Sequence, residues 1–388
     1  MIEINILGLS LETPELMTPP ALRTEDLAYD LPEDRIATRP AEPRDSARML
    51  VISRSSDTLE HRKVSDLPDY LVSSDALVMN KTAVIPARFL GKRTDSGGKV
   101  EGLFLDEPED GTWRVMLKSN GRLRPDLVIE LADQQDRPSG QVIRLGKRDG
   151  DEWIVHPESN RSAHELLEAV GRTPLPPYIL RARGIRGVRG DRSIDDAQDR
   201  SWYQTVYADP DQGRSVAAPT AGLHFTPELL QTLLGKGVER LEISLDVGPG
   251  TFKPITTPTL EMHDMYWECY EVPSETLESL NAIQNRKKSG ESVRLFAVGT
   301  TSVRTLESLP DPLPVHESLT GTTDLFIAPP YDFRFVDGLL TNFHLPRSTL
   351  LALVAALVGL ERLLAVYEQA IREGYRFYSY GDAMLILP

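Results

Sequence analysis

Six short apolar runs decide the fold: A-R-F-L-G at 87–91, V-E-G-L-F-L at 100–105, W-R-V-M-L at 113–117, L-V-I-E-L at 127–131, Q-V-I-R-L at 141–145 and W-I-V-H at 153–156. Turn-rich stretches part them, among them Asp95-Ser96-Gly97-Gly98, Asn120-Gly121, Arg137-Pro138-Ser139-Gly140 and Asp149-Gly150-Asp151. Strand-length runs at near-regular spacing, with no helix-length period between them, predict a small barrel or sandwich.

Outward from this block the pattern changes. Met49–Ser53 and Ala76–Met79, before it, read as buried strands. After it, Ala163–Val170 reads as a short helix stopped by Gly171 and the prolines at 174, 176 and 177. From Val216 strands and helices alternate. Thr226–Leu234 is helical, Leu241, Ile243, Leu245 and Val247 alternate as in a strand, and Ser274 can N-cap a helix to about Lys288. Val293–Val298 reads as a buried strand, and Ser348 to Glu373 as one long helix ending at Gly374. The expected fold is therefore an α/β main domain with an inserted all-β, barrel-like domain. Its boundaries are an extension over 1–23, the α/β domain over 24–84 and 157–388, and the inserted barrel over 85–156.

Composition narrows the function classes. With 40% hydrophobic and 26% charged residues among 388, the chain is globular rather than disordered. Its only cysteine, Cys269, can form neither an internal disulfide nor a two-cysteine zinc site, which fits a reducing compartment. Residues 1–22 hold Glu3, Glu12 and Glu15 and no Lys or Arg, unlike the basic start of a signal peptide. The most apolar run, Ser348 to Leu360, has 13 residues, short of the ~20 that span a bilayer. A soluble, cytoplasmic protein with no membrane partner is expected. The net charge of −15 opposes non-specific binding to nucleic acid. Residues 181–192, with five Arg against one Asp, are nevertheless locally basic, and a sparser set runs through Arg35, Arg39, Arg44, Arg48 and Arg54. Such sets read either as solvated surface or as RNA contacts.

Five segments are dense in polar groups and glycine. Ser215–Phe225 carries Thr220, Gly222 and His224 among small residues that allow a ligand to approach the backbone; a packed turn with a structural histidine is the competing reading. Asp246-Val247-Gly248-Pro249-Gly250-Thr251-Phe252 follows a strand, where ligands of α/β sheets sit. Gly299-Thr300-Thr301-Ser302-Val303-Arg304 places N–H groups and hydroxyls at a helix start, an anion site unless the hydroxyls only cap the helix. Thr341-Asn342-Phe343-His344 precedes the long helix, and Ser379-Tyr380-Gly381-Asp382 lies near the C-terminus. Neither dinucleotide, P-loop nor His-Glu-x-x-His spacing occurs; a metal site built from His224, His263 and His344 is the one metal alternative.

In this order the segments resemble the S-adenosylmethionine:tRNA ribosyltransferase-isomerase family of queuosine biosynthesis. The likeness runs from Asp26-Leu27-Ala28-Tyr29-Asp30-Leu31-Pro32 to the C-terminus. It takes in Val84-Ile85-Pro86-Ala87-Arg88, Leu175-Pro176-Pro177-Tyr178-Ile179, Tyr203-Gln204-Thr205-Val206-Tyr207 and the glycine-rich strings above. The resemblance implies transfer and isomerisation of the ribosyl group of S-adenosylmethionine onto 7-aminomethyl-7-deazaguanine in the tRNA anticodon loop. The products are epoxyqueuosine-tRNA, adenine and methionine. S-adenosylmethionine is a co-substrate, no metal is required, tRNA is the partner, and a monomer is expected.

Carried over motif by motif, the resemblance makes Glu268, Asp382, His224 and His263 the catalytic candidates. Substrate contacts fall to Thr220, Gly222, Gly248, Gly250, Thr251, Thr300, Thr301, Ser302, Arg304, Asn342, His344 and Tyr380. Arg183, Arg186, Arg189 and Arg48 are expected on the tRNA. The chain departs from the family pattern at Lys81 and Ala83, where the family has Asp and Arg, and at Asp246 and Tyr266, where it has histidines. Two further readings stay open: a paralogue that uses another acceptor, and a non-catalytic RNA-binding descendant.

Overall fold

The computed structural model describes residues 22–109, 111–185, 196–248, 255–314 and 316–388. The main body is a nine-stranded sheet. Its order is Leu319–Thr323, Glu268–Val272, Glu239–Leu245, Ala76–Asn80, Leu295–Val298, Gly338–Asn342, Ala383–Leu387, Arg48–Ser53, Leu59–Lys63. The four strands from Glu239–Leu245 to Gly338–Asn342 run parallel. Ala383–Leu387 runs antiparallel to Gly338–Asn342. Every residue of Ala76–Asn80, Leu295–Val298 and Gly338–Asn342 is buried, because both faces of the parallel region are covered.

Alternation sorts these strands onto two cores. Val78, Ile243, Leu245, Ala297 and Leu339 face one core with Leu277, Leu280, Val303 and Leu306 of the helices Ser274–Lys288 and Thr300–Glu307. Leu77, Met79, Phe296, Val298 and Leu340 face the other with Leu229 and Leu233 of the helix Pro227–Gly235. Successive residues of a strand point to opposite faces, which accounts for the continuous rather than alternating hydrophobicity of these runs.

All six runs of the opening stretch are strands, and they close into a barrel. Arg88–Arg93 pairs with Lys99–Asp106 on one edge and with Val128–Ala132 on the other, so the ring has no free edge at that seam. Phe89, Trp113, Val115, Ile129, Ile143 and Val155 fill it, and Leu166, Leu167 and Val170 of the helix Ala163–Val170 close one end. The chain enters this barrel from Ala76–Asn80 and returns to the sheet at Glu239–Leu245, which is the insertion read from the sequence. Residues 1–21 of the expected extension lie outside the described residues. Leu22 packs against the main core and Arg23 bridges to Thr259.

Two expectations need correction. The single helix over Ser348–Glu373 is two, Thr349–Val358 and Leu360–Arg372, bent by 110°. Gly359 between them has φ +90°, a conformation that L side chains rarely adopt and that ends the first helix. The apolar period runs through the break because both helices bury a face, and a period does not record direction. Ser274 is inside its helix rather than capping it; Pro273 occupies the cap without a side-chain bond. Ser348 caps the first of the two helices, accepting from Leu351 N–H at 3.2 Å. No single described helix is long and apolar enough to cross a membrane.

Candidate active site

The topology gathers the polar segments at one edge. The parallel strands end there at Asn80, Leu245, Val298 and Asn342, and Ala383 pairs with Asn342, so Tyr380–Asp382 enter at the same edge. This is the carboxyl edge of a parallel sheet, where α/β proteins hold their ligands. Asn80 ties two of the strands together: its amide donates to Leu245 C=O at 2.9 Å and accepts from Leu245 N–H at 3.1 Å.

Two carboxylates stand at this edge. Glu268 opens the strand Glu268–Val272, is buried, and is ion-paired with the buried Arg304 guanidinium. It also accepts from Gly248 N–H at 3.2 Å. Arg304 donates on to Leu325 C=O at 3.0 Å, which fixes the guanidinium between helix and strand. Asp246, at the end of Glu239–Leu245, accepts from Thr82 Oγ at 3.1 Å. Burial pushes its carboxyl pKa up from the ordinary value, and Glu268 and Glu271 add to this, while Thr82 and Arg214 oppose it. Asp246 is not among the catalytic candidates of the resemblance; in the sequence it heads the glycine-rich segment that follows a strand, and that position is the signal that places it.

Beside them is a cavity of about 30 Å³ whose wall includes Thr220, Gly299, Thr300, Thr301, Asn342 and His344. Thr220 Oγ donates to Asn342 Oδ1 at 3.0 Å, and the Asn342 amide donates to Tyr378 C=O at 3.1 Å. His344 Nε2 lies 2.9 Å from Thr341 Oγ. Burial lowers its pKa to about 3, so the ring is neutral. Gly299, with φ +87°, caps the helix Thr300–Glu307 and brings no side chain to the cap. Ser302 Oγ is turned into its own helix, donating to Val298 C=O at 2.8 Å.

Several expected site residues are engaged elsewhere. Both ring nitrogens of the buried His224 lie 3.1 Å from carbonyl oxygens, of Ala221 and of Gly381. A neutral ring can donate to only one of them, and burial lowers the ring's pKa against the imidazolium that could serve both. This geometry is that of the structural histidine, a clamp between two segments. Gly222 is needed for packing, since a Cβ there would meet Tyr207 Oη at 2.0 Å. Tyr380 is buried in a small core with Tyr203 and Leu223 and is not among the residues of the cavity wall. His263 is half-buried against the Phe326 ring at 6.2 Å, and burial lowers its pKa. Gly250 and Thr251 lie outside the described residues. Lys81 pairs with Asp209 at 3.2 Å and is not in the cavity wall, and Ala83 is buried.

Asp382 is the fullest case. Its buried carboxylate accepts from the backbone N–H of Arg48 at 3.1 Å and of Arg376 at 2.8 Å, and from the Arg376 side chain at 3.1 Å. This engages, within the fold, a carboxylate that the resemblance places among the catalytic candidates. Asp382→Asn is therefore expected to cost stability, about 1.5–3 kcal/mol for hydrogen bonds to a charged group, at the low end because Arg376 is partly exposed. Thermal melting checks it. An unchanged melting temperature with lost turnover would return Asp382 to the reacting groups.

The arginines divide in the same way. Arg183 makes a bidentate pair with Asp199 at 2.7 and 2.8 Å and donates to Thr38 C=O. Arg48 donates to Glu373 C=O at 2.7 Å and lies 3.7 Å over the Tyr375 ring. Both hold the fold. Arg44 and Arg54 likewise donate to backbone carbonyls, of Gln204 and Asp337. Arg186 and Arg189 lie outside the described residues. Three large apolar side chains stand exposed close together in sequence, Met262, Tyr266 and Trp267, the last immediately before Glu268. No group of three or more His, Cys, Asp or Glu side chains is placed to hold a metal among the described residues. His224, His263 and His344 have the separate surroundings given above.

Comparison with known proteins agrees over nearly the whole chain. The family model described as queuosine biosynthesis protein matches residues 24–386. A protein of Desulfitobacterium hafniense named S-adenosylmethionine:tRNA ribosyltransferase-isomerase is 42% identical, over 94% of this chain and all of that one. One of the same name from Symbiobacterium thermophilum is 43% identical over the same shares. A crystal structure of S-adenosylmethionine tRNA ribosyltransferase from Thermotoga maritima matches with a TM-score of 0.50 and 33% identity. It covers 93% of this chain and 100% of that one.

Proposed function

The chain belongs to the family of queuosine biosynthesis proteins, and we infer that it is an S-adenosylmethionine:tRNA ribosyltransferase-isomerase. The observation that carries this is the full-length likeness to relatives of that name, joined to a carboxylate-bearing site at the edge where the shared segments meet. We propose that it acts in the cytoplasm, as a monomer, on 7-aminomethyl-7-deazaguanine in the anticodon loop.

The reaction sets demands that these residues meet. A base must take a proton from the ribose 5′ carbon, which the sulfonium acidifies. Adenine must leave, and the cationic sulfur must be held until methionine departs. A carboxyl with a raised pKa is a stronger base than an ordinary one, which favours Asp246 for the proton. Glu268, fixed by Arg304 and Gly248, is preorganised as a negative group for the sulfonium. His224 and Asp382 position the segments around them. Trp267, exposed beside Glu268, offers a face on which an unpaired anticodon base can stack.

Incubation with S-adenosylmethionine and tRNA carrying the modified base should release adenine and increase the tRNA mass. Adenine without modified tRNA would instead support another acceptor, and no adenine a non-catalytic descendant. The RNA contacts are tested separately. A chain of charge −15 needs a locally positive face to approach a polyanion. Replacing Arg186 and Arg189 by Ala should weaken tRNA binding and reduce the slope of log affinity against log salt. Two contacts account for a change of up to about 1.4 on single strand or 1.8 on duplex. An unchanged slope would mean that these arginines do not touch RNA. Arg183→Ala is expected to act on stability instead, because it releases Asp199.

A further inference from the structure

We infer that the start of the helix Thr300–Glu307 binds the carboxylate of the methionine moiety of S-adenosylmethionine, with Thr301 Oγ as a donor to it. The inference rests on the reading of S-adenosylmethionine as substrate.

Four observations at one place lead to it. The first N–H groups of a helix have no acceptor within the helix. Here no side chain supplies one, because the cap is Gly299, and the first turn contains no acidic residue. Thr301 is 7% exposed, and its Oγ is buried without a hydrogen-bond partner. A buried hydroxyl left in this way is costly, so a partner that arrives with a ligand is the economical explanation. That hydroxyl stands at the mouth of the helix, 3.7 Å from where a Cβ on Gly299 would lie.

The cavity selects the ligand group. At about 30 Å³ the cavity is small, and the chemistry of its wall decides what suits it. Among its other polar wall residues, Asn342 is held by Thr220 and Tyr378, and His344 contacts Thr341. The ring of His344 is neutral, so it brings no positive charge. What remains is a set of donors, the helix N–H groups and Thr301 Oγ, at the positive end of a helix dipole. Such a set suits an anion whose own molecule carries the cations. Arg304, one turn further along the same helix, holds Glu268. The helix therefore couples the proposed carboxylate site to the group assigned to the sulfonium.

A phosphate of the tRNA presents similar acceptor chemistry, and the test separates the two sources. Thr301→Val keeps the shape and removes the hydroxyl, and Thr301→Ser keeps the hydroxyl. Affinity is measured by calorimetry for S-adenosylmethionine and for its decarboxylated analogue, which retains the sulfonium and the adenosine. The wild type should prefer S-adenosylmethionine. Thr301→Val should reduce that preference by about tenfold or more, the equivalent of one hydrogen bond to a charged group. Thr301→Ser should keep it. Melting temperature should stay level or rise in Thr301→Val, since the lost hydroxyl had no partner in the fold. A preference unchanged in Thr301→Val overturns the inference. So does a weaker, less salt-dependent tRNA affinity at unchanged preference, which would assign the site to a phosphate. Failure of the wild type to bind S-adenosylmethionine at all would overturn the functional reading and this inference together.

Discussion

Glu268→Gln is expected to lower turnover by about 10²–10³-fold, the usual effect of removing one preorganised electrostatic group from a reacting centre. The variant also leaves the Arg304 guanidinium, 5% exposed, without its charged partner. Breaking a buried ion pair from one side typically costs about 3–5 kcal/mol. Lost activity alone would therefore not distinguish chemistry from folding. A double variant does: Glu268→Leu with Arg304→Met removes both charges and keeps bulk. Replacing a buried pair by apolar groups is often neutral for stability, so the melting temperature should recover. Turnover should not, because the negative charge proposed for the sulfonium is still missing. Near-wild-type turnover in the double variant would remove Glu268 from the mechanism.

The fold was more legible than the site, for a physical reason. Strand and helix periods are local, and the six runs from 87 to 156 and the strands around Val78, Ile243 and Ala297 declare themselves within a few residues. The direction of a chain after a glycine is not local, which is why the bend at Gly359 stays hidden in an unbroken apolar pattern. Residue types at a site are legible too: the polar segments do meet at the carboxyl edge of the sheet. What each side chain does there depends on partners distant in sequence. His224 is held by Gly381, Asp382 by Arg48, and Glu268 by Arg304. None of these pairings has a spacing that a sequence displays. Asp382 reads as a catalytic carboxylate in its motif and as a junction between three segments in the fold. Asp246 reads as a lost histidine in its motif and as a carboxyl of raised pKa in the fold.

Asp246→Asn should separate activity from stability most sharply, because the two effects have opposite signs. Removal of a positioned base lowers turnover by about 10²–10⁴-fold. Stability follows from the raised pKa of Asp246 in the folded state, caused first by burial. A carboxyl with a folded pKa above its unfolded value, near 3.9, stabilises the fold below that unfolded value, where it is protonated. The contribution is lost as pH rises through the folded pKa, beyond which the charged form is buried at a cost. At neutral pH the native Asp246 is therefore a burden that Asn lacks. Asn can still accept from Thr82 Oγ through its amide oxygen. The melting temperature of Asp246→Asn should exceed that of the wild type at pH 7, with the gain shrinking as pH falls towards 4. In the wild type, kcat/KM should fall on the acid side at a pH above the ordinary aspartate value, because protonated Asp246 cannot take the 5′ proton. Measured together, melting curves across pH and the pH–rate profile decide the assignment. A variant that turns over like the wild type, or that is less stable at pH 7 than at pH 4 relative to it, would leave the proton to another group.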